Sequence, residues 1–362
     1  MEFLFPAITA LSLTLLLGWA ALKYFPKWGL LDNPKKYGLK RKPIPYPGGI
    51  VLYLAFVILS LLFFEPTLKL LGLLFGSGLL VLISFIDDRI GLPPTLRLGI
   101  QALVGIIMVL SGIGVEGITN PFGGTLLLNQ FKFALVFGDQ TVNILALSGL
   151  FTLVWIVLIV NTMNWMDGIP GLTSGLTFIG GLTLFFLSIS DKVNQPEVAI
   201  LAIIVAMMAL AFWCFDFYPP KMIIGDSGSM FFGLLLAVLA IFSGGKIATA
   251  FLILGFPIMD MIYVIVHRLY NKQAPWKGGE WDRERKAVHL HHRLLDFGFS
   301  ERQVLLCIYA LAGIFGISAL FLNTQGKFWA MVIVFALSVA LGILLRTKKS
   351  GIRKAASKKL TN

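Results

Sequence analysis

Long apolar stretches recur along the chain, and most of them are joined by short polar connections. Eleven windows are long enough to cross a bilayer as helices that rise about 1.5 Å per residue. They cover residues 3–22, 48–64, 70–86, 97–114, 143–160, 172–190, 197–214, 229–245, 247–267, 304–322 and 327–345. The segment from Ser111 to Val142 is rich in Gly and β-prone residues and predicts a small external loop or β-hairpin. The pattern therefore predicts an all-α polytopic membrane protein with about eleven transmembrane helices.

Composition and charge agree with a membrane protein and predict its orientation. The chain is 57% hydrophobic and only 13% charged, which is too little charge for the surface of a soluble protein. With the N-terminus outside, all but five of the 30 Lys and Arg residues lie in cytoplasmic segments, as the positive-inside rule requires. The net charge of +12 therefore lies beside anionic lipid, and no nucleic-acid partner is expected.

This orientation divides the chain into one membrane domain and a tail. The domain covers residues 1–345, and its cytoplasmic loops are residues 23–47, 87–97, 161–171, 214–228 and 268–303. The composition of residues 346–362 predicts a basic, polar and mobile cytoplasmic C-terminal tail.

Polar side chains gather at the predicted cytoplasmic ends of several windows. The apolar run Leu153–Val160 is followed by Asn161, Asn164 and Asp167, whose spacing continues one slowly turning face of a helix before a Gly- and Pro-containing turn ends it. Polar groups are costly near hydrocarbon. They either cap the helix end or bind an ion, a proton or a polar substrate.

Two more carboxylate strings lie at window ends. Asp87 and Asp88 repel each other unless a cation is near, so they form either a solvated turn with Arg89 or a site for a hard divalent ion. The string GDSGS, which contains Gly225, Asp226 and Ser227, precedes the eighth window. Glycine amides at a helix N-terminus suit a phosphate and the carboxylate suits a metal, although an ordinary N-cap explains the string equally well.

Asp260 and a histidine cluster complete the candidate residues of the later chain. Asp260 lies inside the ninth window, so it either makes a structural ion pair or contacts substrate. His289, His291 and His292 lie beside Arg293, and no Cys or further His completes a tetrahedral zinc set. The histidines therefore suit an anion pocket, with a solvated loop as the alternative.

The first cytoplasmic loop combines basic residues with prolines and glycines. Arg41 and Lys42 precede a Pro-rich stretch that ends in Gly48 and Gly49. The basic residues follow the positive-inside rule, and the loop could also hold a lipid phosphate at the membrane surface.

In this order the strings resemble the polyprenyl-phosphate N-acetylhexosamine-1-phosphate transferases, a glycosyltransferase 4 type family that starts lipid-linked assembly of cell-envelope glycans. The resemblance covers nearly the whole chain. Its marks are Asp87-Asp88, the N-x-x-N-x-x-D-G string ending at Gly168, the GDSGS string, the P-x-x-D string ending at Asp260, and H-L-H-H-R-L from His289. The H-x-H-H form and the eleventh window resemble the branch that uses UDP-GlcNAc for O-antigen, enterobacterial common antigen or teichoic acid. The nearest alternative is the branch that transfers phospho-MurNAc-pentapeptide in peptidoglycan synthesis, which usually has three consecutive histidines and ten spans.

The resemblance implies a reaction, a cofactor and a location. A sugar-1-phosphate passes from a UDP-N-acetylhexosamine to undecaprenyl or another polyprenyl phosphate, and UMP is released. The implied cofactor is Mg²⁺, for which Mn²⁺ could substitute. The implied site faces the cytoplasm from the bacterial inner membrane. The resemblance is compatible with a monomer or a homodimer. The implied residues are Asp226, Asp88 and Asp87 for metal and catalysis; His289, His291 and His292 for catalysis; Asn161, Asn164, Asp167, Gly225, Ser227, Asp260 and Arg293 for nucleotide and diphosphate; and Arg41, Lys42, Gly48 and Gly49 for the lipid phosphate.

Two features depart from the family pattern, and one alternative function belongs to another class. Pro170 replaces the second Asp of the usual D-G-x-D-G-L string. The loop before His289 also has a longer run of charged residues than the usual short link. A cation- or proton-coupled transporter could use Asp260 and the interfacial acids as a relay. The gathering of these acids at one face, rather than at mid-membrane, argues against transport.

Overall fold

The computed structural model describes residues 1–37, 41–137, 140–191, 193–243, 247–270, 272 and 289–340. The predicted tail at residues 346–362 lies outside these residues. The helices described are α1 (Leu4–Tyr24), α2 (Gly49–Phe63), α3 (Leu68–Ile90), α4 (Pro94–Leu110), α5 (Ala146–Met166), α6 (Leu172–Ser188), α7 (Pro196–Asp216), α8 (Gly225–Phe242), α9 (Ile247–Ile253), α10 (Gly255–Tyr270), α11 (Leu290–Asp296), α12 (Glu301–Phe321) and α13 (Thr324–Ala340). Short 3₁₀ turns cover Phe25–Trp28 and Pro34–Tyr37.

Each predicted apolar window overlaps helix, but the helices differ in length. In the described part of the chain, six helices are long and apolar enough to cross a bilayer alone, namely α1, α3, α5, α7, α8 and α12. The bent pair α9 and α10 raises this number to seven, whereas α2, α4, α6 and α13 are shorter apolar helices. The protein is thus a mostly helical, multi-pass membrane protein, and helix length alone supports fewer spans than the eleven predicted.

The ninth window forms a broken helix. α9 and α10 meet at a bend of 81°, which corrects the expectation of one unbroken helix over residues 247–267. Pro257 has no N–H to donate to the carbonyl one turn earlier, which weakens the helix at this point. Gly255 also packs closely on α13, because an added Cβ would lie 2.8 Å from Cγ1 of Val334.

The segment between α4 and α5 contains two antiparallel hairpins where one loop or hairpin was predicted. β1 (Gly117–Thr119) pairs with β2 (Thr125–Leu127), and β3 (Lys132–Phe137) pairs with β4 (Gln140–Leu145). The first hairpin reaches α13, since the rings of Phe122 and Phe328 lie 5.3 Å apart edge to face.

Helix α8 is the buried centre of the fold, and it contacts α2, α3, α5 and α6. Gly233 lets α5 approach closely, because an added Cβ would lie 2.9 Å from Cα of Val160. Trp155 on α5 donates its indole N–H to the carbonyl of Ala237 on α8 at 3.1 Å. Because α3 and α5 end where α8 begins, the polar strings at these three helix ends come together.

Candidate active site

Arg97 on α4 joins three of the polar strings, although no motif singled it out. Its Nε lies 3.0 Å from Oδ2 of Asp87, and its Nη2 lies 2.7 Å from Oδ2 of Asp226. Nη2 also donates to Oδ1 of Asn164 at 3.2 Å. One guanidinium thus connects the ends of α3 and α5 to the start of α8.

A sequence signal for Arg97 existed. The residue begins the fourth apolar window, in the first turns of α4, where the positive end of the helix dipole disfavours a cation. An arginine in such an electrostatically unfavourable position at the membrane boundary indicates that a specific anionic group pairs with it. The motif search missed it because Arg97 belongs to no string of polar residues.

The carboxylates Asp87, Asp88, Asp167 and Asp226, here called the acidic cluster, lie close enough to repel one another. Oδ1 of Asp87 accepts from the backbone N–H of Leu92 at 2.6 Å. Asp88 is hydrogen-bonded by the Tyr46 side chain and by the backbone of Ser227. Its Oδ2, however, is buried without a hydrogen-bond partner among the described residues. Leaving a buried carboxylate oxygen without a donor is costly, so a cation would be a favourable neighbour for it.

Asp167 lies just beyond the end of α5. Loss of solvation raises the pKa of its carboxyl well above the usual value, and the nearby carboxylates of Asp216, Asp226 and Asp88 raise it further. A bound cation would act in the opposite direction, because it would favour the ionised form.

The GDSGS string packs against the segment that precedes α2. Gly225 has φ +70°, and a Cβ there would lie 2.6 Å from the Tyr46 ring. A Cβ at Gly49 would lie 2.5 Å from Oγ of Ser227, which is itself buried. Gly48 donates its backbone N–H to Ile223 O at 2.8 Å. Gly48 and Gly49, the glycines predicted for the lipid phosphate, therefore lie at the start of α2 and pack against the start of α8.

The two asparagines of α5 have different partners. Asn164 donates from Nδ2 to Oγ of Ser229 at 3.2 Å and accepts from Arg97, so it faces the acidic cluster. Asn161 exchanges two hydrogen bonds with Gln101 of α4, at 2.5 and 3.3 Å. Its amide therefore joins α5 to α4, one turn from the cluster.

Arg41 and Lys42, the basic residues predicted to contact the lipid phosphate, have different surroundings. Arg41 makes a forked pair with Asp32, with Nη2–Oδ2 and Nη1–Oδ1 distances of 2.5 and 3.2 Å. Lys42 is exposed. The guanidinium of Arg41 is thus engaged within its own loop.

Asp260 anchors the histidine cluster. Its fully buried carboxylate lies 2.8 Å from Nδ1 of His289 and accepts from the backbone N–H of Leu290 at 2.5 Å. Nδ1 of His291 lies 3.6 Å from the same carboxylate. Among the described residues, Asp260, His289 and His291 form an Asp/His group that could hold a metal ion, since their ligand atoms lie within 4.8 Å of one another.

Gly168 connects the histidine cluster to the acidic cluster. A Cβ at Gly168 would lie 2.7 Å from Nε2 of His291 and 3.0 Å from Nε2 of His292, so both rings rest on this turn. Asp167, the preceding residue, belongs to the acidic cluster. The end of α5 therefore has carboxylates on one side and imidazoles on the other.

Two arginines near the histidines stack on aromatic rings. The guanidinium of Arg293 lies 4.9 Å from the centre of the Tyr263 ring, and that of Arg268 lies 5.1 Å from Trp165. The Trp165 ring also meets His289 edge to face at 5.7 Å. Stacking orients these two cations beside the histidine cluster.

Comparisons with known proteins agree with the sequence motifs. The family model described as glycosyl transferase family 4 matches residues 70–244, which include the acidic cluster. A probable undecaprenyl-phosphate N-acetylglucosaminyl 1-phosphate transferase of Bacillus subtilis is 29% identical over 353 residues, covering 94% of this chain and 90% of that protein. A decaprenyl-phosphate N-acetylglucosaminephosphotransferase of Mycobacterium tuberculosis is 29% identical over 352 residues, covering 86% and 80%. An undecaprenyl-phosphate alpha-N-acetylglucosaminyl 1-phosphate transferase of Escherichia coli K12 is 28% identical over 333 residues, covering 88% and 84%.

Proposed function

We propose that the chain is an enzyme of the glycosyl transferase family 4 type, which transfers N-acetylglucosamine-1-phosphate from UDP-N-acetylglucosamine to undecaprenyl or another polyprenyl phosphate and releases UMP. The names of the relatives support the two substrates. The observation that carries the proposal for this chain is the convergence of Asp87 and Asp88 at the end of α3 with Asp226 at the start of α8. Three carboxylates with a neighbouring arginine suit a reaction between two anionic phosphates.

The acidic cluster fits a magnesium ion better than the histidine group does. Mg²⁺ prefers oxygen ligands, and Oδ2 of Asp88 is a buried oxygen without a hydrogen-bond partner in the described part. In the other group two of the three donors are imidazole nitrogens, which suit zinc and similar metals, and the carboxylate already accepts from His289 and Leu290. We therefore assign the cation to Asp226 and Asp88 with Asp87 nearby; Mn²⁺ suits the same donors. When bound, the ion would offset the charge of the donor diphosphate and stabilise charge on the transferred phosphorus.

The chain's own residues then have positioning and electrostatic roles. Arg97 is a permanent cation that can move from the carboxylates to a diphosphate oxygen, and Asn164 offers an amide beside it. His291 and His292 contact the same turn from the other side, and we assign these histidines and Arg293 as further donors to phosphate. These groups hold two mutually repelling substrates in one place.

The chemical step needs no protein nucleophile. A lipid phosphate oxygen forms a bond to the sugar-linked phosphorus, and the bond from that phosphorus to the oxygen of UMP breaks. The second pKa of a phosphomonoester is about 6, so at neutral pH the acceptor is already largely deprotonated. The reaction therefore does not depend on proton removal by a carboxylate of the acidic cluster, and positive charge at the site has to orient this phosphate. A two-step route through a covalent aspartyl intermediate is the alternative.

We also propose eleven spans, with the N-terminus outside and the site at the cytoplasmic face of a bacterial inner membrane. The distribution of Lys and Arg supports this orientation. The convergence of the ends of α3 and α5 with the start of α8 supports a site at one membrane face.

The test is UMP release by the purified protein. Full-length protein in detergent, with undecaprenyl phosphate and Mg²⁺, receives a panel of UDP-GlcNAc, UDP-GalNAc and UDP-MurNAc-pentapeptide. Release of UMP and formation of a lipid diphosphate sugar with UDP-GlcNAc are expected. Preference for the pentapeptide donor would favour the peptidoglycan reaction instead, and absence of UMP with every donor would refute a transferase.

A further inference from the structure

A buried hydrogen-bond network holds Gly171, the last residue of the turn that connects α5 to α6. Its backbone N–H donates to Oδ2 of Asp216 at 3.0 Å, and its carbonyl accepts from the Tyr309 hydroxyl at 2.5 Å. The Ser174 hydroxyl donates to the same oxygen of Asp216 at 3.0 Å. Asp216 is only 2% exposed. Both peptide groups of one glycine are thus held by side chains of two other helices, α7 and α12.

The local sequence explains why this network is needed. Gly171 is the N-cap of α6 and has φ +91°, so it provides no side chain to cap the helix. Pro170 before it has neither a polar side chain nor a backbone N–H. Asp216 at the end of α7 instead supplies the acceptor for the N–H of this N-cap residue and for the Ser174 hydroxyl in the first turn of α6.

Tyr309 is held as firmly as Asp216. Gly175 makes room for its ring, because a Cβ there would lie 2.3 Å from the Tyr309 hydroxyl oxygen. The indole N–H of Trp213 donates to that oxygen at 3.2 Å, so the hydroxyl both accepts and donates. The Tyr309 hydroxyl is therefore held between Trp213 and Gly171.

Only three residues separate Gly171 from Asp167. Of these, Ile169 is buried, and Gly168 lies in close contact with the rings of His291 and His292. A shift of Gly171 must therefore move either Asp167 or the contact between Gly168 and the histidines.

We propose that Asp216 and Tyr309, here called the Gly171 clamp, are positioning residues that hold the Asp167–Gly168 turn in register with the acidic cluster and the histidines. This inference rests on the proposed transfer reaction for its kinetic consequence. The residues do not touch the reacting atoms. Their effect is to keep Asp167 and Gly168 in place for the UDP-sugar.

The kinetic test separates the two substrates. Asp216→Ala and Tyr309→Phe are expected to lower kcat/KM for UDP-GlcNAc about tenfold or more, which corresponds to about 1.4 kcal/mol, with the KM for polyprenyl phosphate within about twofold of the original protein. Asp216→Asn should keep most of the activity, because its amide oxygen can accept both hydrogen bonds. Ser190→Ala is the matched control, since it removes a hydroxyl that bonds to Leu187 O at the other end of α6.

Hydrogen exchange gives a readout that does not depend on activity. Faster exchange of the Gly171 amide is expected in Asp216→Ala and Tyr309→Phe, with unchanged exchange in Ser190→Ala. Tyr309→Phe removes one oxygen and keeps the ring, so it remains a test if Asp216→Ala does not fold. Unchanged donor kinetics and unchanged Gly171 exchange in Tyr309→Phe would overturn the proposal, as would equal losses for both substrates that follow a lowered Tm. If the original protein releases no UMP, the proposed function fails, whereas the exchange data still decide whether the clamp holds the turn.

Discussion

Nη2 of Arg97 lies 2.7 Å from Oδ2 of Asp226, although 129 positions separate the two residues in the chain. The guanidinium provides positive charge within the acidic cluster, and the same atom donates to Asn164. Arg97 therefore contacts the candidate site residues Asp87, Asp226 and Asn164 directly. Its pairing with Asp226 joins the start of α4 to the start of α8.

Arg97→Gln is expected to lower the rate of UMP release by about 10- to 100-fold. The change removes charge-assisted hydrogen bonds that are worth about 1.5–3 kcal/mol each. Arg97→Lys should keep part of the activity, because it keeps the charge but loses the forked geometry. Arg89→Gln is the control, since Arg89 is exposed, donates to Gly29 O at 3.4 Å and stacks on the Phe85 ring at 5.5 Å, away from the acidic cluster. Equal effects of the changes at positions 89 and 97 would contradict a specific role for Arg97.

Asp226→Asn and Asp88→Asn are each expected to abolish UMP release. An amide supplies one weak oxygen ligand and no charge, so the cluster would bind a divalent cation poorly. Turnover is measured with UDP-GlcNAc, lipid acceptor and Mg²⁺, with the exposed Asp191→Asn as the control. Near-normal turnover by both site variants would refute the assigned site.

Removal of divalent cations is expected to stop the reaction, and Mg²⁺ or Mn²⁺ should restore it. The oxygen donors of the acidic cluster suit both ions. The measurement is UMP release after treatment with EDTA and addition of single metals. Restoration by Zn²⁺ alone would move the metal site to Asp260, His289 and His291, the group with imidazole donors.

Gly168→Ala is expected to lower turnover. The new Cβ would lie 2.7 Å from Nε2 of His291, so the histidine rings or the turn must shift. Gly313→Ala on α12 is the matched control, because a Cβ there meets nothing within 4 Å. That variant should keep its activity and gain up to about 1 kcal/mol of helix stability. Normal turnover by Gly168→Ala would show that the contact between Gly168 and the histidines is not needed.

The raised pKa of Asp167 predicts a pH effect on the stability of the metal-free protein. The folded state holds this proton more tightly than the unfolded state, whose Asp pKa is about 3.9. The free energy of unfolding therefore falls as pH rises above about 4 and stops falling above the raised pKa. In EDTA, Tm should decrease over this range, and less so in Asp167→Asn. An equal decrease in both proteins would place the effect at another group.

Several features of this protein follow from the sequence alone because they depend on neighbouring residues. Hydrocarbon excludes polar groups, so apolar windows predict helices, and polar strings at their ends predict a site. The windows overlap helices throughout, and Asp87, Asp88, Asn164, Asp167 and Asp226 lie in one region. These features need only local composition and the length of a membrane helix.

Tertiary structure decided which partner each polar group has. Asn161 pairs with Gln101, and Arg41 pairs with Asp32, although their motifs suggested substrate contacts. The places of Arg97 and of the Gly171 clamp, and the bend between α9 and α10, likewise depend on contacts between distant segments. A linear pattern shows that a polar residue near a membrane needs a partner, but helix packing selects that partner.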